Sequence, residues 1–109
     1  MKSIAFATIE ELRAAYASGE LNQAEVLTDV IRRFEKYDKE LGAALEVFDE
    51  QSIVAQSAQK GSLHGIPGII KDNICQQGRI ASCASKILQN YRAPYDATAV
   101  KRLKQEGAL

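Results

Sequence analysis

The sequence predicts an α/β fold, on three observations. Two stretches near the amino terminus carry apolar residues at helical spacing behind capping residues, and two short apolar runs, at Ala43 to Phe48 and Ile69 to Ile74, read as strands. A further helical stretch separates those runs, and strand, helix, strand is the order that builds a sheet flanked by helices.

The elements follow in turn. Thr8 with Glu11 three residues on fits a capping box, and Ile9, Leu12 and Tyr16 recur at helical spacing until Gly19, so a first helix is expected over about residues 9 to 18. Asn22 and Glu25 open a second helix, along which Val26, Leu27, Val30, Ile31, Phe34 and Leu41 form one apolar stripe. After Gly42 the run to Phe48 is too short for a helix and is expected to be a strand. Asp49 then caps a helix through Ile53, Val54, Ala55 and Ala58 that ends at Gly61. His64-Gly65-Ile66-Pro67-Gly68 forces a turn into the second strand, Ile69 to Ile74. Following an irregular stretch from Cys75 to Tyr95, Asp96 is expected to cap a last helix carrying Val100 and Leu103, with Gly107 at its end. A further strand would normally follow such a helix, so one incomplete domain over residues 1–109 is the expected organisation.

Composition bounds the function. With 46% hydrophobic and 26% charged residues the chain is far from the signature of disorder, and a core is expected. Fourteen basic residues balance fourteen acidic ones, which removes an electrostatic grip on nucleic acid phosphates by this chain alone. Glu10 and Glu11 come too early for a secretory signal, and no apolar run reaches the roughly 20 residues of a membrane span, so a cytoplasmic location with no membrane contact is expected. Cys75, Cys83 and the single His64 cannot supply the four ligands of a structural zinc site, so no metal is expected and the cysteines read as small buried side chains.

Among the residues able to carry chemistry, Lys71 interrupts an apolar run, where a buried ammonium without a partner is costly. Read from the residues alone, it reaches solvent or pairs with Asp72. Alternation along a strand would send Lys71 and Asn73 to one face and Asp72 to the other. His64 has no partner at catalytic spacing and reads as a loop or surface histidine. Gly65 to Gly68 is no phosphate loop, because a strand follows it and no Gly-Lys-Ser/Thr is present. Ser82 and Lys86 are separated by three residues, so a Ser-x-x-Lys pattern is also absent.

The run Leu63-His64-Gly65-Ile66-Pro67-Gly68-Ile69-Ile70-Lys71-Asp72-Asn73-Ile74 resembles the Gly-Ile-Pro and Lys-Asp-Asn segment of the amidase-signature enzymes. Cys83 to Leu88 and Pro94 to Val100 resemble the tRNA-dependent amidotransferase branch of that family more than other amidases, and the likeness spans nearly the whole chain. The resemblance implies the amino-terminal part of the amidase-signature fold, a helical start followed by the first strands and helices of a mixed β-sheet. It also implies that Lys71 is the lysine of a Ser-cisSer-Lys triad, acting as a neutral amine on the proton shuttle to the nucleophilic serine. A lysine pKa near 10.4 must fall by roughly 3 units for that task, usually through burial.

The glycine- and serine-rich loop that carries the two serines is missing from this sequence, so the isolated chain is expected to be inactive. Asp72 and Asn73 are expected to hydrogen-bond around the lysine, and Ser82 and Ser85 are supporting candidates against ordinary loop hydrogen bonding. For the whole protein the resemblance implies hydrolysis of L-glutamine, ammonia passing to a partner that amidates misacylated Glu-tRNA(Gln), and a heterotrimer with B and C subunits. ATP and magnesium would belong to the partner, with no cofactor in this chain. Two rivals remain open: a general amidase acting on small amides, and a non-catalytic fragment that binds a partner through the second helix.

Overall fold

The computed structural model describes residues 3–109. A 3-10 turn at Ile4–Phe6 leads into helices α1 (Ile9–Ser18), α2 (Gln23–Leu41), α3 (Glu50–Gln56) and α4 (Thr98–Gln105). Both amino-terminal helices begin where the sequence says they should. The Thr8 hydroxyl accepts from the Glu11 amide at 3.1 Å while the Glu11 carboxylate accepts from the Thr8 amide at 2.8 Å. Asn22 and Glu25 repeat the box at 3.0 and 2.8 Å. Each box satisfies two amides that an α-helix leaves without internal partners. Gly19 and Gly42 then end α1 and α2 in the left-handed conformation.

The core is small and lies between this helical hairpin and the turn that follows α3. Leu12 of α1 and Val26 of α2 close on Ile66, with Ile4, Ala7, Tyr16, Leu21 and Leu63 packed around them. The Tyr16 hydroxyl donates to the Gly65 carbonyl at 2.9 Å. Burial of this ring raises the phenol's pKa, because the ionised form is the one that loses solvation. Gly65 has φ +80, a conformation that favours glycine, and a Cβ there would lie 2.3 Å from Cγ of Gln23 and force that side chain to shift.

A second set of backbone bonds fastens the carboxyl end of α4 alongside the same turn. The amides of Ala58, Leu63 and Gly65 donate to the carbonyls of Lys104, Glu106 and Gly107 at 3.0, 2.9 and 3.0 Å. The Glu106 carboxylate accepts from the Ser62 amide at 2.8 Å and the Ser62 hydroxyl at 2.7 Å, and these bonds hold its carboxyl below the usual range. Farther along, Leu109 donates to Ile66 and Gly68 donates to Leu109, both at 2.8 Å, the reciprocal spacing of one rung of a parallel ladder around Pro67.

Neither expected strand forms. No continuous strand forms among the described residues: beyond the single parallel rung at Pro67 there is an isolated antiparallel bridge between Ile80 and Arg92. At Ala43 to Phe48 the amides of Ala43 and Ala44 turn back to the Asp38 carboxylate at 2.7 and 3.3 Å, and Leu45 is 82% exposed. Ile69 to Ile74 starts without regular structure, with Ile69 67% exposed, and then folds into a turn closed by the Ile74 amide on the Lys71 carbonyl at 2.9 Å. A strand is stabilised by a neighbour's ladder, and here neither run has a neighbouring strand beside it.

Two helix boundaries also differ from expectation. Helix α3 stops at Gln56 with Ser57 extended at its end, well short of Gly61. Asp96 does not cap α4: Ala97 stands at the N-cap, and the Asp96 carboxylate instead accepts from the Gln77 amide at 2.8 Å and from the Lys104 ammonium at 2.8–2.9 Å. Gly107 does take a left-handed conformation just past the helix, at φ +82.

Across the molecule, an open apolar groove of about 360 Å³ runs between α2 and α4, walled by Ile31, Phe34, Phe48, Ile53, Ile70 and Leu103. The Arg79 guanidinium lies 3.7 Å from the centroid of the Phe48 ring and pairs with Glu46 at 2.9 Å, which ties the 43–48 run to the irregular segment. Among the described residues no helix is long and apolar enough to cross a membrane.

Candidate functional site

Lys71 stands at the start of the turn Lys71-Asp72-Asn73-Ile74, just beyond the Gly65–Gly68 segment that the core and α4 hold in place. Its side chain is exposed, and so is that of Asn73, while Asp72 between them is half-buried. Ile74 is exposed as well, so the alternation expected of a strand is not kept in this turn. Within these residues nothing supplies the burial that a neutral lysine requires.

Asp72 faces away from the lysine. Its carboxylate accepts from the Ser82 amide at 2.9 Å, from the Ser82 hydroxyl, and more loosely from the Ala84 amide at 3.4 Å, while its own carbonyl accepts from the Cys83 amide at 3.3 Å. The Ser82 hydroxyl and then the Ser82 amide hold the Asp72 carboxyl below its ordinary range, outweighing a small upward push from desolvation. Asp72 is therefore bonded around Ser82, not around Lys71 as expected from the sequence, and Asn73 is simply exposed.

The loop gathered by Asp72 has an unusual backbone. Cys83 and Ala84 take φ of +50 and +55, consecutive left-handed residues that are not glycine, a conformation costing L-residues roughly 1–2 kcal/mol each. Successive amides in such a bend form a concavity that suits an anion, and here the Asp72 carboxylate fills it. The Ser85 amide closes the loop on the Ser82 carbonyl at 2.8 Å, and the Leu88 amide continues onto Ser85 at 3.1 Å.

These placements sort the candidates. Lys71 and Asp72 share one turn, and Asp72 draws Ser82 and the Ser85 loop to it. Ser82, donating its proton to a carboxylate, is an ordering hydroxyl and not an activated nucleophile, since no base accepts from it and is oriented in turn by a third group. The roles of Cys83 and Ala84 had no signal in the sequence, because neither residue type marks a left-handed position. Cys83 is exposed and Cys75 half-buried, so the expectation of two buried cysteines does not hold. His64 sits half-buried in its turn, with Nδ1 buried and unpartnered.

The Gly65 and Gly68 amides are already spent on Gly107 and Leu109, so the glycine turn has no cradle of free amides for phosphate, and among the described residues no three His, Cys, Asp or Glu side chains gather to hold a metal.

Residues 25–109 match the sequence model of the family described as Amidase. The chain belongs to the amidase family. Among its relatives in that family, a Halothermothrix orenii protein, named as the A subunit of glutamyl-tRNA(Gln) amidotransferase, is 43% identical over 94% of this chain. One of the same name from Gloeobacter violaceus is 39% identical over 94% of it. The chain spans 22% and 23% of those two proteins. The crystal structure of the glutamyl-tRNA(Gln) amidotransferase A subunit from Thermotoga maritima superposes on all of this amidase chain with a TM-score of 0.80 at 30% identity, 23% of that protein being covered. The helical start and the turns around Lys71 thus have the arrangement of the corresponding part of an amidase, although the mixed sheet itself is not formed by these residues.

Proposed function

We propose that this chain is part of the glutamine-hydrolysing subunit of a glutamyl-tRNA(Gln) amidotransferase acting in the cytoplasm, to which it contributes the catalytic lysine, Lys71. The observation that carries this reading is the likeness to subunits of that name over 94% of the chain, at 39% and 43% identity, running through the Lys71 turn. In this reading the Lys71 amine relays a proton through a cis serine to a nucleophilic serine, both outside these 109 residues. The nucleophile takes the acyl group of glutamine, ammonia leaves with the relayed proton, and water then cleaves the acyl ester to release glutamate. A second, B subunit, held with a C subunit in the same complex, uses that ammonia with ATP and magnesium to amidate Glu-tRNA(Gln).

Lys71 is exposed here, so the buried setting that this role requires depends on further protein covering the turn. Alone, the 109 residues hold one member of the triad and are inactive.

The test uses the complete gene product purified with its partner subunits. Lys71→Ala should lower glutamine hydrolysis by about 10²–10⁴-fold, the range for losing a general base, while amidation of Glu-tRNA(Gln) driven by added ammonia persists. Glutamine hydrolysis that survives Lys71→Ala would overturn the assignment. Turnover of simple amides by a protein that recruits no partner subunits would instead favour a general amidase.

A further inference from the structure

We infer that Asp72 is a positioning residue, which locks the Ser82–Ser85 loop to the Lys71 turn and so fixes where the lysine's backbone stands. The inference rests on the glutamine-hydrolysing reading above.

Among the described residues, every hydrogen bond joining the two turns ends on Asp72. Its carboxylate takes the Ser82 amide at 2.9 Å, the Ser82 hydroxyl and the Ala84 amide at 3.4 Å, and its carbonyl takes the Cys83 amide at 3.3 Å. All three amides of residues 82 to 84 are consumed by one residue. Without it those amides would point into a concavity with no acceptor, and the consecutive left-handed residues Cys83 and Ala84 would lose what offsets their strain.

The chemistry of the clamp is specific to a carboxylate. Three donors converge on two oxygens that offer only acceptor sites. An asparagine of the same shape would keep one oxygen and turn an amide NH2 against a donor. Nor can Lys71 take over the tie, because it lies next to Asp72 in sequence and its side chain is exposed. Anchored upstream by the Gly65 and Gly68 bonds and downstream by Asp72, the lysine's backbone is held on both sides.

A positioning residue does not touch the reacting atoms. The effect of Asp72 reaches them through the placement of Lys71, and a shift of about 1 Å in a positioned group costs on the order of 10²-fold in rate. That predicts a fall in kcat with KM for glutamine preserved, since the clamp aligns the proton relay and does not bind substrate.

The experiment uses the complete protein in its complex. Asp72→Asn should reduce kcat for glutamine by on the order of 10²-fold at unchanged KM. It should leave ammonia-driven amidation of Glu-tRNA(Gln) intact and raise deuterium exchange at the Ser82 and Ala84 amides. Ser82→Ala removes one donor and keeps the carboxylate, so it should shift kcat in the same direction by less. The double variant should be no worse than Asp72→Asn alone, because both act through one contact.

Full kcat in Asp72→Asn, or a rise in KM in place of a fall in kcat, would overturn the inference. If Asp72→Asn also loses the ammonia-driven reaction through misfolding, Ser82→Ala decides, and an unchanged kcat in that variant overturns it. The functional reading fails separately: wild-type protein without glutaminase activity refutes it, whereas an active wild type silenced by Lys71→Ala but indifferent to Asp72→Asn refutes the positioning role alone.

Discussion

Replacing Gly107 by alanine tests how the segment carrying Lys71 is held. Gly107 is buried just past α4 at φ +82, and a Cβ on it would meet the Lys60 carbonyl oxygen at 2.7 Å, His64 Cα at 2.8 Å and the Ala58 carbonyl oxygen at 3.0 Å. All three are backbone atoms, so no side chain can swing aside. Alanine loses about 1–2 kcal/mol in a left-handed conformation, and overpacking adds about 1–3 kcal/mol, giving a destabilisation of about 2–5 kcal/mol. Gly19→Ala supplies the control, because Gly19 has φ +74 but nothing within 4 Å of a Cβ, and it should cost only the conformational part, about 1–2 kcal/mol. Equilibrium urea unfolding followed by far-UV circular dichroism measures both. The crowding at residues 58 to 64 is the difference between the two variants. Equal shifts in the unfolding midpoint would show that α4 does not press on this turn and would refute the reasoning.

Three further outcomes are expected. Tyr16→Phe deletes the hydroxyl that donates to the Gly65 carbonyl and should cost about 0.5–1.5 kcal/mol in the same unfolding assay, with faster exchange of the turn amides around Gly65. Stability should also fall in acid. Asp72, Asp96 and Glu106 all have carboxyl pKa values lowered on folding; at Asp96 burial pushes the value up, but Lys104 and the Gln77 amide outweigh it. A lowered folded pKa gives stability that is complete above the unfolded carboxylate value and is lost as pH falls through the folded one, so the loss belongs below about pH 4. Asp96→Asn should cost about 1.5–3 kcal/mol at neutral pH and flatten that acid limb, and an acid limb identical to wild type would refute the assignment of Asp96 to it.

What could be read in the sequence was what local chemistry decides. Thr8 with Glu11 and Asn22 with Glu25 set helix starts through partners three residues away, and the structure has those boxes. Strands answer to partners far along the chain, and Ala43 to Phe48 and Ile69 to Ile74 carry strand-like composition without a neighbouring ladder. Asp96 misled for a related reason: an aspartate before a helix is a good cap only when nothing stronger competes for it, and Lys104 and Gln77 do. At the candidate site the resemblance picked out Lys71, while the bonding of Asp72 to Ser82 comes from the turn and not from strand alternation. The left-handed pair Cys83 and Ala84 stayed hidden because their conformation is imposed by hydrogen bonds to Asp72 and not by their own side chains.

The bonds that join residues 58–68 to residues 104–109 turn the intervening chain into a closed handle, with both candidate turns inside it. Closing such a handle costs entropy that grows only slowly with its length, so insertions within the irregular stretch are cheap while damage at the base releases everything the handle carries. The base unites segments about forty residues apart, whereas the caps that start α1 and α2 draw on partners three residues away. Folding by topology then proceeds from the hairpin to the base, and Lys71 acquires its position late, when the loop has been drawn shut.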